Sequence, residues 1–341
     1  MHMADALLSP AVGGMMWALS AGTVGYVAAR QQKQPQADKK LPVMALAGAF
    51  VFAAQMINFT IPGTGSSGHI GGGVLLAGLL GPLPALLALT AVLVIQALFF
   101  ADGGLIALGC NIFNMGVIPC LLAYPLLFRP LVKRGVTPRR VAAASVFTGI
   151  VALQAGAFAV VLETLASGIT ALPFAAFAAL MQPIHLAIGL AEGLVTAGVL
   201  CFVLRVRPEL LHSAGTRSSL RPGLTLRPVL AALAVGTLLV GGGLSLLASA
   251  YPDGLEWAMQ KTAGTAELPA TGPVFRAAQT LQNTTAFLPD YNLPGTGEDA
   301  AALGTSASGV LGAAMTALLA GGAGVLVRAL KRRARQVPNQ P

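Results

Sequence analysis

Charge is scarce in this chain. Asp, Glu, Lys and Arg make up only 10% of the 341 residues, while hydrophobic residues make up 55%. Mean hydropathy is +0.75, and a soluble core cannot hide that much apolar surface, so the chain belongs in a bilayer. Cysteine is nearly absent as well. Cys110, Cys120 and Cys201 sit in apolar runs without C-x-x-C spacing, which argues against a disulfide framework or a thiolate site and leaves them as small buried hydrophobes. No complete phosphate loop exists: Gly63-x-x-x-x-Gly68 begins like one, but His69-Ile70 follow where Lys and Ser/Thr are needed. The chain is therefore not expected to hydrolyse ATP by itself. Internal repeats, heptads and an H-E-x-x-H motif are missing too. Their absence weighs against two other function classes, a self-sufficient secondary transporter and an integral-membrane metalloenzyme using His2, His69, His185 and Asp102.

The charge that is present has a pattern. Net charge is +9, which on its own would suggest nucleic acid. Yet 19 of the 21 Lys and Arg fall in four short segments, 30–40, 129–140, 205–227 and 328–335. Basic loops between apolar stretches mark the cytoplasmic side of a polytopic membrane protein, not a nucleic-acid surface. Apolar runs long enough to cross as helix are read near 9–29, 41–59, 70–81, 85–100, 110–128, 141–162, 184–204, 228–250 and 308–327. The third is short for a span, so it is tilted or broken at Gly81-Pro82-Leu83-Pro84. With the amino terminus outside, nine spans put every basic cluster and the carboxy terminus inside. The loops 62–73 and 101–109 and the segments 163–183 and 251–307 then lie outside. The expected fold is an all-α integral membrane protein of the inner (cell) membrane. Its domains are a seven-span bundle at 1–205, a basic cytoplasmic linker at 206–227 and a two-span hairpin with an external loop at 228–341. His212 falls in the linker and reads as solvated. In the first span Ala18, Ala21, Gly22, Gly25 and Ala29 form small-xxx-small pairs, read first as intramolecular packing.

The amino terminus offers chemistry. It has no basic n-region and carries Asp5 ahead of the first apolar run, so it is not read as a cleaved signal peptide. Met1-His2 then supplies three nitrogens in a row: the α-amine, the His2 amide and the His2 imidazole. These close two small chelate rings on one ion, and a fourth nitrogen would complete a plane that suits Ni(II) or Cu(II) better than calcium, magnesium or tetrahedral zinc. His69, in the Gly- and Ser-rich loop 62–73 on the same expected face, is the candidate. The main alternative is a solvated turn whose histidine does nothing. Ser66, Ser67, Asp5, Asp102, Asn111 and Asn114 are candidates for orienting a ligating imidazole, with capping and interhelical hydrogen bonds as the plainer reading. His185, also near the outer face, is a substitute ligand or a structural residue. Glu192 reads as the partner of a neighbouring helix.

Four stretches carry a family resemblance. They are the opening Met-His-Met-Ala-Asp-Ala-Leu-Leu-Ser-Pro, the loop Gly63-Thr-Gly-Ser-Ser-Gly-His-Ile-Gly-Gly-Gly73, the run from Asp102 to Gly116, and Pro183-Ile-His-Leu-Ala-Ile-Gly-Leu-Ala-Glu-Gly193. Together they resemble the substrate-specific M component (NikM/CbiM type) of nickel and cobalt energy-coupling-factor transporters. Tyr251-Pro-Asp-Gly-Leu-Glu256 and Phe287-Leu-Pro-Asp-Tyr291 resemble the PDGLE domain of the small N component, which makes the chain similar to an M–N fusion. The resemblance implies that Met1 gives its amino nitrogen, His2 its amide and imidazole nitrogens, and His69 the remaining nitrogen. It also implies cargo of Ni2+ or Co2+, no resident cofactor, and separate partners: a T-type transmembrane coupling protein and cytoplasmic ATPases. Met3 and Ala6 depart from the usual family opening, at positions that are not ligands.

Overall fold

The computed structural model describes residues 1–34, 37–170, 172–208, 211, 227–295 and 301–336. Most of the basic linker, including His212, and the acidic pair Glu298 and Asp299 lie outside the described residues.

The chain is a multi-pass helical membrane protein. Among the described residues, seven helices are long and apolar enough to cross a bilayer: α1 (Pro10–Gln32), α4 (Pro82–Phe99), α5 (Leu108–Val132), α6 (Pro138–Ser167), α7 (Phe174–Val206), α8 (Arg227–Leu247) and α11, whose apolar part is Ala301–Gly322. Helix α2 (Ala37–Gln55) adds a shorter apolar stretch, Leu41–Gln55. Prolines start several of them where a missing N–H costs nothing, at Pro10, Pro82 and Pro138. Within α5, Pro119 and Pro125 remove ladder donors, and the helix winds wider from Phe113 to Phe128.

The run 70–81 does not form a full span. Helix α3 (Gly73–Leu80) has 8 residues, a rise of about 12 Å, well short of a hydrocarbon core of about 30 Å. The corner at Gly81, with φ 92°, lies beside Arg30 and Arg129, at the basic end of the bundle. The missing depth is covered by the 62–72 loop. That loop forms a small hairpin, β1 (Phe59–Ile61) paired antiparallel with β2 (Ser66–Gly68), and then descends between the helices. Non-helical backbone is tolerated at such depth only where protein satisfies it. Glu192 on α7 does so, accepting from the N–H groups of Gly71 at 2.9 Å and Gly72 at 3.1 Å. Its partner is thus the loop backbone, not a neighbouring helix. Gly72 needs its hydrogen side chain, because its φ is +78° and a Cβ would overlap Val51.

The small-residue stripe of α1 packs against nothing among the described residues. Ala18, Ala21, Gly22, Gly25 and Ala29 are all exposed; the opposite stripe, Gly13, Met16, Ser20 and Val27, faces the bundle. Close packing is found instead between α6 and α7, where a Cβ on Gly149 would lie 3.0 Å from the Gly193 backbone. Between Leu247 and Ala301 the chain is not simply a polar loop. It carries α9 (Gly254–Ala263) and α10 (Pro273–Thr285). Helix α11 (Ala301–Gln336) then lies along α2, with Gly312 against the Phe52 ring.

Candidate metal centre

Residues 1–8 form a strap across one end of the bundle, opposite the basic clusters. Asn111 fixes it at both main-chain groups of Met3: its Oδ1 accepts from Met3 N at 2.8 Å and its Nδ2 donates to Met3 O at 3.3 Å. The same carbonyl accepts from Gly104 N at 2.9 Å. Asp5 Oδ1 takes the N–H groups of Ile106 and Ala107 at 2.8 and 2.9 Å, and burial raises its pKa. Gly104 lies so close to Asp5 that any Cβ would overlap its carboxylate, which gives the Asp102-Gly-Gly loop its physical sense. Leu7 and Leu8 are wholly buried. The strap is therefore part of the packed bundle.

This anchoring brings His2 against His69. Their rings stack with centroids 5.3 Å apart and 21° between planes. His69 Nδ1 lies 3.1 Å from the Ile70 carbonyl, which can only accept, so Nδ1 carries hydrogen and Nε2 keeps the lone pair. Burial, then the amino-terminal charge and His2, lower the His69 pKa to about 3. His2 is lowered too, chiefly by burial, with Asp102 opposing. Both rings are thus held neutral, each with a lone pair that a metal ion could take. On the other side of the strap, the Met1 amino group lies 2.5 Å from Asp253 Oδ2. Burial alone would raise the Asp253 pKa, but the amino-terminal charge holds it well below the usual carboxylate range. Burial and Asp253 push neighbouring Glu256 up to about 7.

These groups open on a cavity of about 600 Å3, lined by His2, His69, Asp102, Asp253, Glu256 and Asp290 among others, with no Lys or Arg among its described lining residues. Four carboxyl groups around two imidazoles favour a cation. Among the described residues, no three His, Cys, Asp or Glu side chains are grouped as a metal cage. A metal here would draw on main-chain nitrogen as well as side chains.

Residues 2–210 match the family described as the cobalt uptake substrate-specific transmembrane region, CbiM. The chain belongs to that family. Residues 227–329 match the PDGLE domain. A putative fused nickel transport protein NikMN of Archaeoglobus fulgidus is 31% identical over 92% of this chain and 94% of its own length. The fused nickel transport protein NikMN of Rhodobacter capsulatus is 32% identical over 98% of this chain and all of its own length. A crystal structure of a transition metal transporter superposes with TM-score 0.53 and 30% identity, covering 60% of this chain and 93% of that one. The protein is accordingly a nickel/cobalt transport component of the CbiM/NikM type, fused to a PDGLE domain.

The other expected site residues divide. Asp102 touches an imidazole: its Oδ1 is 3.2 Å from His2 Nδ1, and its Oδ2 accepts from the Tyr291 hydroxyl at 2.5 Å. Asn111 and Asp5 act on the strap. Ser66 and Ser67 bind the second module instead, with Ser67 N donating to Pro252 O at 2.8 Å and Ser67 Oγ to Tyr251 O at 2.7 Å. Ser66 Oγ lies 3.4 Å from the Pro252 carbonyl. Asn114 donates to Glu163 at 2.7 Å, away from both imidazoles. His185 is buried with Nδ1 on the Met181 carbonyl of its own helix at 2.8 Å, a structural placement. Two residues escaped sequence reasoning. Gln96 Oε1 is 3.0 Å from His2 Nε2, and Gln96 Nε2 donates to Gln55 Oε1 at 2.9 Å. Lone amides in apolar spans were the available signal.

Proposed function

We propose that this chain is the substrate-capturing subunit of an ATP-driven energy-coupling-factor importer, taking Ni2+ at the outer face. Met1 gives its amine, His2 its amide and Nδ1, and His69 its Nε2. The observation that carries this reading is the stacking of His2 on His69 at 5.3 Å beside a buried amino terminus.

The chemistry follows from the donors. Amine and amide nitrogen close a five-membered ring, and amide and Nδ1 a six-membered one. Planar four-nitrogen ligation favours Ni(II) and disfavours zinc, while hard cations gain little from nitrogen donors. The amine and amide must lose protons, so capture weakens on acidification. Against copper, geometry and availability must supply the selectivity. The basic ends of the helices face the cytoplasm by the positive-inside rule, which sets the strap outside in the cell (inner) membrane. Energy comes from a T-type coupling protein and ATPase subunits, and the exposed α1 stripe from Ala18 to Ala29 is available to a membrane partner. Cobalt is the second reading, favoured by the cobalt uptake description of the matching family; near-full-length relatives named for nickel support the first.

The test is Ni2+ binding by the purified chain with its native start, against His69→Ala and a form with one extra amino-terminal residue. Both variants lose high-affinity binding. Full retention by the extended form removes the amine from the site.

A further inference from the structure

We propose that Gln55 and Gln96 are positioning residues that keep hydrogen on His2 Nε2, so that a metal ion is admitted only at Nδ1. This rests on the reading of Met1, His2 and His69 as the ligands and adds to it the pair that selects which face of the ring is used.

The direction of the hydrogen bonds is decisive. Gln55 Nε2 lies 3.0 Å from the Gly71 carbonyl. A carbonyl only accepts, so Gln55 must present its NH2 there and its oxygen to Gln96. Gln96 then presents its NH2 to that oxygen, at 2.9 Å, and its own oxygen to His2 Nε2, at 3.0 Å. His2 Nε2 is thereby required to donate. The amides are 3% and 0% exposed, where an unbonded polar group is costly, so the line has one stable sense.

That sense matters for chelation. Only Nδ1 can close a six-membered ring with the residue's own amide nitrogen; Nε2 lies across the imidazole and cannot. Asp102 Oδ1, 3.2 Å from Nδ1, is an acceptor on the opposite side that competes for hydrogen at Nδ1 and prevails once the Gln96 oxygen is removed. The relay also ends on Gly71, two residues from His69, in backbone whose N–H groups Glu192 holds. One hydrogen-bonded line therefore sets the ring of the first imidazole and steadies the loop carrying the second.

The test compares the full chain with Gln96→Leu, Gln96→Glu and Gln55→Leu by Ni2+ titration, and reads the neutral His2 tautomer of the metal-free protein by 15N-histidine NMR. Gln96→Leu weakens Ni2+ binding about 10- to 100-fold and moves the hydrogen to Nδ1. Gln96→Glu, which offers His2 only an acceptor, keeps it on Nε2 but loses the donor to Gln55 Oε1, and recovers part of the affinity. Gln55→Leu, leaving Gln96 free to turn over, falls between. Hydrogen on Nδ1 in the native chain overturns the proposal, as does Gln96→Leu with native affinity and tautomer. If Gln96→Leu does not fold, the native spectrum and Gln96→Glu decide. A native chain that binds no Ni2+, or His69→Ala that binds as tightly as native, defeats the ligand reading instead, and the metal-free tautomer still judges the relay.

Discussion

The amino-terminal strap and the second module meet over the same cavity but are fastened differently. Met3, Leu7 and Leu8 in the strap are 0% exposed, and main-chain groups are locked by Asn111, Gly104 and Asp5. Across the cavity, Tyr251 is 53% and Phe287 44% exposed. There the second module holds on partly through side chains to carbonyls, Ser67 to Tyr251, Trp257 to Thr64 and Gln282 to Ala97, and partly through isolated main-chain bonds, Ser67 N to Pro252 O and Asp290 N to Phe100 O. A segment that supplies ligands must keep its geometry, whereas one that covers them must part from the site for an ion to pass. On the proposed reading the strap would be the first and the 251–292 segment the second.

The sharpest way to break that contrast is to free the strap. Asn111→Leu leaves the Met3 N–H without its buried partner, at about 1–3 kcal/mol, while the Met3 carbonyl keeps Gly104 N. A drop in the thermal midpoint in detergent and weaker Ni2+ binding are expected together, and loss of neither would make the strap a loose tail. Next in size is Asp253→Asn. Asn still caps α9, where Asp253 accepts from Leu255 and Glu256, so the change isolates the ion pair with Met1. Hydrogen exchange should quicken across 251–263 while residues 3–8 stay protected; equal quickening in both would erase the distinction.

Acidification probes the imidazole of the loop that lies beside both regions. His69 titrates at about 3 in the folded chain against an ordinary 6.5, so the unfolded chain takes up the proton first. Stability from this group is full above about 6.5 and declines as pH falls from there toward 3. The thermal midpoint of the native chain should fall relative to that of His69→Asn as pH drops over that range; a constant difference contradicts the assignment. The smallest effect is expected from Ser67→Ala, which removes one half-buried contact to the cover at about 1 kcal/mol, with Ni2+ affinity nearly unchanged.

Much of this was legible in the residues. Apolar length and the four basic clusters set the helical layout, and Met1-His2 with His69 pointed to one place because donor chemistry is local to the sequence. Partners were not legible. The α1 small-residue stripe showed that a helix could approach it, yet the close seam formed between α6 and α7 at Gly149 and Gly193. Ser66 and Ser67 looked like aids to His69 and instead bind the second module, 184 or more residues away. Gln96 lies 94 residues from His2, and a lone amide reads alike whether it braces a helix or a ligand.

X-ray absorption at the nickel edge, on the loaded full chain with its native start, reads the ligand shell itself. A planar shell of four nitrogens is expected if the strap and His69 hold the ion together. Six-coordinate nickel ringed by oxygen would contradict that, since the carboxylates of the cavity, rather than the strap and His69, would then be holding it.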